Sequence, residues 1–528
     1  MEKLLLLADE AIALGALDGG LSGVYAYPGT PSTEITEYIQ QSPQGKASEV
    51  HCKWSANEKT AMEAAVGLSF VGKRAMVCMK HVGLNVAADP FMNAAVTGIN
   101  GGLIVLSADD PSMHSSQNEQ DSRFYGKFAL IPILEPSNQQ EAYDMAYEGL
   151  ELSEKLGRPI LLRITTRLAH SRSGVVRKPC KPQNAMKMPA NKRQFILLPA
   201  IARGRYAELL ASQDKFQESS ENSVYNTFTD GENKQTGIIA AGIGYNYLME
   251  NFPQGCPYPV LKVGQYPLPL KPIEKMAAEC ESIMVIEEGY PLIEDAIRGM
   301  LPPKKPIIRG RGDGSLPRQG ELNPDIVAKA FGIQKTEGKP MPEVVKMRPP
   351  ALCQGCGHRD MYAALKDVVA EYPQAKVFGD IGCYTLGALP PYTAIDSCLD
   401  MGASITMAKG AADGGLHPSI AVIGDSTFAH SGITALLDAV NENSPITVII
   451  SDNETTAMTG GQDSADFGKI ESICRGIGVP ENHIRVLVPL KKNYEEMKQV
   501  IREEIEHNGV SVIIPRRECV QTLKRKKK

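Results

Sequence analysis

Two oxygen-bearing side chains placed just past apolar runs give this sequence its clearest chemistry. Asp425 follows the run Ser419–Ile423 and Gly424, and Asn453 stands 28 positions later, just beyond a second run, Thr447–Ser451. A helix fits between about Ser431 and Asn443, so the runs read as neighbouring parallel strands joined by one helical crossover. Both residues then sit at strand carboxyl ends, where open α/β sheets bind ligands. A glycine lets the backbone approach a phosphate, a helix N-terminus adds N–H donors, and two hard oxygen ligands suit Mg²⁺. The expected ligand is a magnesium-bound diphosphate, with Gly424, Asp425 and Ser426 in the turn. Alone, Gly-Asp-Ser is a common turn. The strand-helix-strand frame and the following Met458-Thr459-Gly460-Gly461-Gln462 separate it from that background.

Other segments carry further chemistry. Glu58 opens an alanine-rich helix, Glu58 to Gly67, whose Ala61, Ala64, Ala65 and Gly67 permit close packing; taken alone it is an ordinary acid in a first helical turn. Cys353 and Cys356, two residues apart, present two thiolates to one metal, and zinc, redox and iron-sulfur chemistry all suit that spacing. Cys383 and Cys519 lie further on; Cys52, Cys78, Cys180, Cys256, Cys280, Cys398 and Cys474 show no ligand spacing and read as buried thiols. Thr30 lies in the breaker-rich turn Tyr27 to Ser32, and His81 and Asn85 follow an apolar strand, where a histidine is as often a satisfied structural residue as a functional one. His114, Gln117 and Asn118 are weaker candidates.

The elements that must position these groups alternate throughout. Val24–Tyr27, Ala75–Met79, Leu103–Ser107 and Ile160–Ile164 read as buried strands of a first block, residues 1–180. Periodicity fades over 181–234, a linker with one or two helices. A second α/β block spans 235–335, with strands Ile238–Ala241 and Ile283–Glu287; its Gly242-Ile243-Gly244 reads as a tight strand-to-helix turn rather than a dinucleotide site. A proline-rich boundary covers 336–350. The last block, 351–528, has strands Val377–Gly379, Ser419–Ile423, Thr447–Ser451 and Val510–Ile514. Strands alternating with helices imply parallel sheets covered on both faces.

Composition excludes several classes. A chain of 528 residues exceeds what one core can serve, so three domains are expected. A net charge of −5 leaves no footprint for nucleic acid, and the terminal run Lys524 to Lys528 reads as a solvated tail. The Leu4–Leu7 run is flanked by Glu2, Asp9 and Glu10 and lacks the form of a signal peptide; no stretch is apolar enough to span a bilayer. A cytoplasmic protein with reduced thiols and no membrane role is expected.

The motifs together carry a resemblance. The Asp425/Asn453 spacing and the Glu58 segment resemble the signatures of thiamine-diphosphate enzymes, and Met458 to Gln462 is similar to a segment of the 2-oxoacid:ferredoxin oxidoreductases. Met79 to Pro90, Ser107 to Asp121 and Gly379 to Gly387 resemble the indolepyruvate:ferredoxin oxidoreductase α-subunit family, with likeness from residue 4 to about 520 apart from 200–235. The fold this implies is α/β: two thiamine-diphosphate-binding-type parallel-sheet domains with a transketolase C-terminal-like α/β domain between them. It also implies thiamine diphosphate and Mg²⁺, the metal held by Asp425, Asn453 and the carbonyl of Thr455, with Gly424, Ser426, Met458, Thr459, Gly382 and Cys383 around the cofactor. Glu58 would hold a proton at the far ring nitrogen of the aminopyrimidine, and the Glu58 helix and the Asp425/Asn453 loops would address opposite ends of one cleft, within one chain or across two. Thr30 would contact substrate, with His81 and Asn85 facing the reacting carbon. Cys353, Cys356, Cys383 and Cys519 would hold one [4Fe–4S] cluster.

The implied reaction converts an aryl pyruvate, coenzyme A and oxidised ferredoxin to an arylacetyl-CoA, CO₂ and reduced ferredoxin, with thiamine as electron sink. The implied partners are a small β subunit and ferredoxin, in a homodimer or a dimer of heterodimers. Family members usually add a ferredoxin-like domain with two Cys-x-x-Cys-x-x-Cys-x-x-x-Cys-Pro runs; none is present in this sequence, so a separate acceptor is expected to collect the electrons. A non-oxidative thiamine-dependent 2-oxo acid decarboxylase would need Glu58, Asp425 and Asn453 but no cluster. A non-catalytic subunit would need none of them.

Overall fold

Continuous burial along single strands shows that the sheets are covered on both faces. The computed structural model describes residues 3–301, 306–334, 338, 340–346 and 348–526. The expected boundary at 336–350 lies partly outside the described residues, as do Lys527 and Lys528 of the basic run. The chain divides into two compact units, Met1–Gly338 and Lys339–Lys528.

In the first unit the strand Ala75–Lys80 directs Met76 and Cys78 to one face, against Ile12, Ala146 and Leu150, and Val77 and Met79 to the other, against Ala61, Met62 and Phe91. That period of two, apolar on both faces, marks a central strand buried between helical layers. The seven-stranded sheet runs Gln265–Tyr266, Ile133–Leu134, Ile160–Thr165, Leu103–Asp109, Ala75–Lys80, Gly23–Ala26, His51–Trp54. It is parallel apart from the antiparallel pair of Gln265–Tyr266 with Ile133–Leu134. Lys3–Leu7, the leucine run, pairs antiparallel with Arg172–Val176 in a sheet of its own.

A five-stranded sheet follows in the same unit, in the order Ile307–Arg309, Ser282–Ile286, Thr236–Ala241, Val260–Val263, Thr227–Thr229, with only the last antiparallel to its neighbour. Between the two sheets the chain forms helices Pro199–Ala211 and Gln213–Glu221. One apolar cluster contains Ile104 and Leu106 of the first sheet together with Ile238 and Ala240 of the second, so the two sheets share a core.

The second unit holds one six-stranded parallel sheet, ordered Ser397–Cys398, Lys376–Gly379, Ser419–Gly424, Ile446–Ser451, Ser511–Pro515, Ile484–Leu487. Ser419–Gly424 pairs with Ile446–Ser451 in a register that sets Gly424 opposite Ser451. Helical structure in the crossover starts earlier than the sequence pattern indicates. A turn at Asp425–Thr427 and a π-helical turn at Phe428–Gly432 precede the helix Ile433–Asn441. Ser426, Thr427, His430 and Gly432 are poor helix formers; burial of Phe428, wholly enclosed, offsets that weakness.

Candidate active site

At the carboxyl end of the second unit's sheet, Asp425 is buried immediately beyond Gly424. The Thr455 N–H donates to Asp425 Oδ2 at 3.1 Å and to Asn453 Oδ1 at 3.2 Å, so this one amide gathers both expected metal ligands. The loop turns through Glu454, whose φ of 63° is left-handed, and the Glu454 N–H donates to Asp452 Oδ1 at 3.1 Å. A non-glycine residue in that region is strained, and such strain concentrates at functional loops. Burial pushes the Asp425 carboxyl well above the usual range, and the like charges of Asp466 and Asp452 push it the same way. An arrangement that penalises a carboxylate this way is relieved by a bound cation. Gly424 is required here: a Cβ would come 2.6 Å from the Tyr384 ring.

Asn453 is oriented from its other side. Its Nδ2 lies 3.3 Å from His358 Nε2, and burial lowers the His358 pKa to about 4. The imidazole is therefore neutral at pH 7 and accepts the amide hydrogen, which leaves Asn453 Oδ1 as the atom for a metal. Ser426 Oγ lies 2.8 Å from Thr456 Oγ1, Thr455 Oγ1 donates to the Gln462 carbonyl at 2.9 Å, and Thr459 Oγ1 donates to Gln462 Oε1 at 2.6 Å. Met458, in the same loop, is 54% exposed.

Cys353, Cys356, Cys383 and Cys519 line one cavity of about 100 Å³, which His358 and Asn453 also line. The chain brings them there from the loop preceding helix Gly357–Val369, from the turn after strand Lys376–Gly379 and from just past strand Ser511–Pro515. Burial, then the neighbouring thiols, raise Cys383 to about 12, and burial raises Cys356. Four thiolates around one metal of zinc's radius would stand about 3.8 Å apart. Among the described residues no three of these sulfurs gather within 4.8 Å of one another. The Cys519 N–H donates to the Asn453 carbonyl at 3.1 Å, and Gln521 Nε2 donates to Cys353 Sγ at 3.2 Å. The expected metal loop and the thiol cavity are thus tied by one backbone hydrogen bond.

In the first unit, Glu58 is buried at the start of helix Glu58–Phe70, capped by Asn57, whose side chain accepts from the Thr60 N–H at 2.9 Å. A Cβ on Gly83 would come 2.6 Å from Glu58 Oε1, so glycine in helix His81–Val86 is what admits the carboxylate. Lys80 stands beside it; burial lowers its pKa, and Asp110 and Glu58 oppose that shift. His81 is buried, with Nε2 3.2 Å from the Asn118 carbonyl oxygen. Thr30 is half-buried, and Ser115 Oγ donates to its carbonyl at 3.4 Å. Asn85 is exposed and accepts from the Tyr125 hydroxyl at 2.6 Å. His114 is committed to Glu321 at 3.3 Å.

Comparison with known proteins places this geometry. Residues 380–514 match the family described as thiamine pyrophosphate enzyme, C-terminal TPP binding domain, and residues 14–204 match pyruvate flavodoxin/ferredoxin oxidoreductase, thiamine diphosphate-binding. The indolepyruvate oxidoreductase subunit IorA of Archaeoglobus fulgidus is 40% identical over 98% of this chain and 86% of its own length; that of Pyrococcus horikoshii is 38% identical over the same shares. This chain belongs to the indolepyruvate oxidoreductase subunit IorA family. It is an oxidoreductase subunit that uses thiamine diphosphate. A solved 2-oxoglutarate:ferredoxin oxidoreductase from Magnetococcus marinus is similar in fold, with a TM-score of 0.51 at 16% identity, covering 62% of this chain and 65% of that one.

Within this IorA-family fold, the structure gathers Gly424, Asp425, Ser426, Asn453 and Thr455 in one loop system and the four cysteines around one cavity. It sets Glu58 against the His81–Val86 helix, while the Met458 side chain is largely in solvent. His358, Lys80, Asp110 and Asp466 were not assigned roles from sequence. Only His358 carried a usable signal, its place directly after Cys353-x-x-Cys356-Gly.

Proposed function

We propose that this chain is the thiamine-binding subunit of a ferredoxin-linked enzyme that oxidatively decarboxylates aryl pyruvates, with coenzyme A as acyl acceptor. The observation that carries the reading is the hydrogen bond from the Cys519 N–H to the carbonyl of Asn453, beside a cavity lined by all four cysteines. A decarboxylase that exports no electrons has no use for thiols there. The relatives' name supports indolepyruvate as the substrate class.

Thiamine diphosphate, when bound, supplies the carbanion chemistry and the electron sink. Asp425, the Asn453 amide oxygen and the Thr455 carbonyl would hold Mg²⁺ on its diphosphate, with Gly424 and Ser426 giving the phosphates room and a donor, Thr459 bracing the loop through Gln462, Gly382 and Cys383 flanking it, and Met458 at its rim. Glu58 would hold a proton at the aminopyrimidine nitrogen, in an enclosure too tight for any residue but glycine at position 83. Thr30, His81 and Asn85 are the proposed substrate contacts, His81 as the buried polar wall. Cys353, Cys356, Cys383 and Cys519 would bind a [4Fe–4S] cluster, which accepts electrons one at a time. In this reading the first unit contains the pyrimidine-type and transketolase C-terminal-like domains, the second unit is the diphosphate domain, a small β subunit and ferredoxin complete the system, and the enzyme is cytoplasmic.

The test is anaerobic co-expression with a small subunit, followed by ferredoxin reduction with phenyl-, hydroxyphenyl- and indolepyruvate. Aryl pyruvate- and coenzyme A-dependent reduction is expected, with visible iron-sulfur absorbance that Cys383→Ser removes. Glu58→Gln should lower turnover by about 10²–10⁴-fold, the usual worth of a positioned proton donor. Decarboxylation without visible absorbance would replace this reading with the non-oxidative one.

A further inference from the structure

A second group of metal-competent side chains lies in the first unit, outside the residues assigned to thiamine. Among the described residues, Asp9, Glu34 and His170 bring one ligand atom each within 4.8 Å of one another. They come from three elements: the first turn of helix Ala8–Asp18, the first turn of helix Thr33–Gln41, and the residue that follows the short helix Thr166–Ala169. Asp9 is 0% exposed, and neither of its carboxylate oxygens has a hydrogen-bond partner. Glu34 Oε2 is likewise buried and unpartnered, while Glu34 Oε1 lies 3.5 Å from His170 Nε2. Glu34 and His170 side chains are each 36% exposed, so the group has a closed floor and an open mouth.

A buried carboxyl group with neither a hydrogen bond nor an ion pair is held neutral or binds a cation. Burial, then the neighbouring Glu34, raises the Asp9 carboxyl well above the usual range, and its oxygens share their surroundings with that second carboxylate and an imidazole, the donor set of a cation site. We infer that Asp9, Glu34 and His170 form a binding site for one divalent transition-metal ion of the Mn²⁺, Fe²⁺ or Zn²⁺ class. Two carboxylates favour hard ions and the imidazole shifts selection toward this middle group and away from Mg²⁺ and Ca²⁺. Three protein ligands leave further positions to water through the open mouth. Such an ion would tie the first helix to the segment that carries Thr30, since Glu34 stands four positions beyond it.

The experiment counts bound Mn²⁺ by electron paramagnetic resonance in the anaerobically purified full-length protein without thiamine diphosphate. Mn²⁺ is the probe because thiol sites compete poorly for it. One equivalent should be lost in Asp9→Asn, which preserves shape, and affinity should fall at least tenfold in His170→Gln, whereas Asp425→Asn should retain that equivalent. Added Mn²⁺ should raise the melting temperature of the wild type and leave that of His170→Gln unmoved. Equal Mn²⁺ binding by wild type and both first-unit variants would overturn the assignment, as would loss of all bound Mn²⁺ in Asp425→Asn. Should Asp9→Asn fail to fold, His170→Gln alone decides, because its side chain stands at the solvent-facing mouth.

Discussion

Two buried groups of charge in this molecule are built on opposite plans. In the first unit, Arg123 and Arg163, both wholly enclosed, are matched by acids: Arg123 with Asp121 at 2.5 Å and Glu287 at 2.9 Å, Arg163 with Asp109 at 2.8 Å and Glu135 at 2.5 Å. The Tyr266 hydroxyl donates to Glu135 at 2.6 Å, and Arg123 and Arg163 also donate to the carbonyl of Glu288 at 2.9 and 3.0 Å. In the second unit Asp425 stands near Asp452 and Asp466; Arg516 pairs with Asp452 at 2.6 Å, and burial raises Asp466 to about 6 against the opposing hydrogen bond from Ser464. The first group pairs each arginine with acids inside the chain, and those arginines oppose the burial that still raises Asp109 and raises Glu287 to about 7. In the second, like charges from Asp466 and Asp452 add to burial in disfavouring the charged form of Asp425.

Breaking the arginine-acid group should cost most. Arg163→Met strands Asp109 and Glu135 in the core, and removing one partner of a buried pair costs about 3–5 kcal/mol. Chemical denaturation should register a loss of that size, or no folded protein. A loss below about 1 kcal/mol would mean the acids find other partners, since that is the scale of exposed pairs.

Asp425→Asn should act the other way on the protein without cofactor, leaving the melting temperature unchanged or higher because an unfavourable buried carboxylate is gone. In calorimetry the same variant should lose at least about 10–100-fold in Mg²⁺-dependent thiamine diphosphate affinity, by analogy with losses at metal-site partners. Undiminished affinity would remove Asp425 from the metal site.

A pH effect separates the groups further. Burial raises Glu288 to about 7, with Arg311 opposing the shift. A folded-state value above the unfolded one means that the stability from this group is full below about pH 4.5 and is lost as pH rises through 7. Urea midpoints should therefore fall less between pH 5 and pH 8 in Glu288→Gln than in the wild type; an identical fall in both would show that Glu288 is ionised across the range.

The smallest effect is expected from Asp466→Asn, which removes a like charge beside Asp425. Mg²⁺ affinity should change by only a few-fold, far less than in Asp425→Asn. A loss as large as that of Asp425→Asn would make Asp466 a ligand in its own right.

Much of this was legible in the chain because it is local. The strands at Ala75, Leu103, Ile160, Ser419 and Thr447 announce themselves by continuous apolar runs, and a single crossover makes Asp425 and Asn453 neighbours before any coordinates are known. Glu58 at a helix start is equally local, since Asn57 is a strong capping residue. The early start of the helical path at Asp425 was not legible, because Ser426, Thr427 and Gly432 have weak helical preference and only the burial of Phe428 decides it.

By itself the sequence determined the layered α/β plan, the neighbouring Asp425 and Asn453 loops and the Cys353/Cys356 pair, all features in which spacing along the chain fixes spacing in the fold. Tertiary structure decided what joins distant segments: Cys383 and Cys519 reaching the same cavity, His358 orienting Asn453, and Asp9, Glu34 and His170 coming within reach of one another. Periodicity reports which face of an element is buried. Which elements then stand side by side depends on sheet order, and parallel strands far apart in the chain become neighbours only when the whole sheet forms.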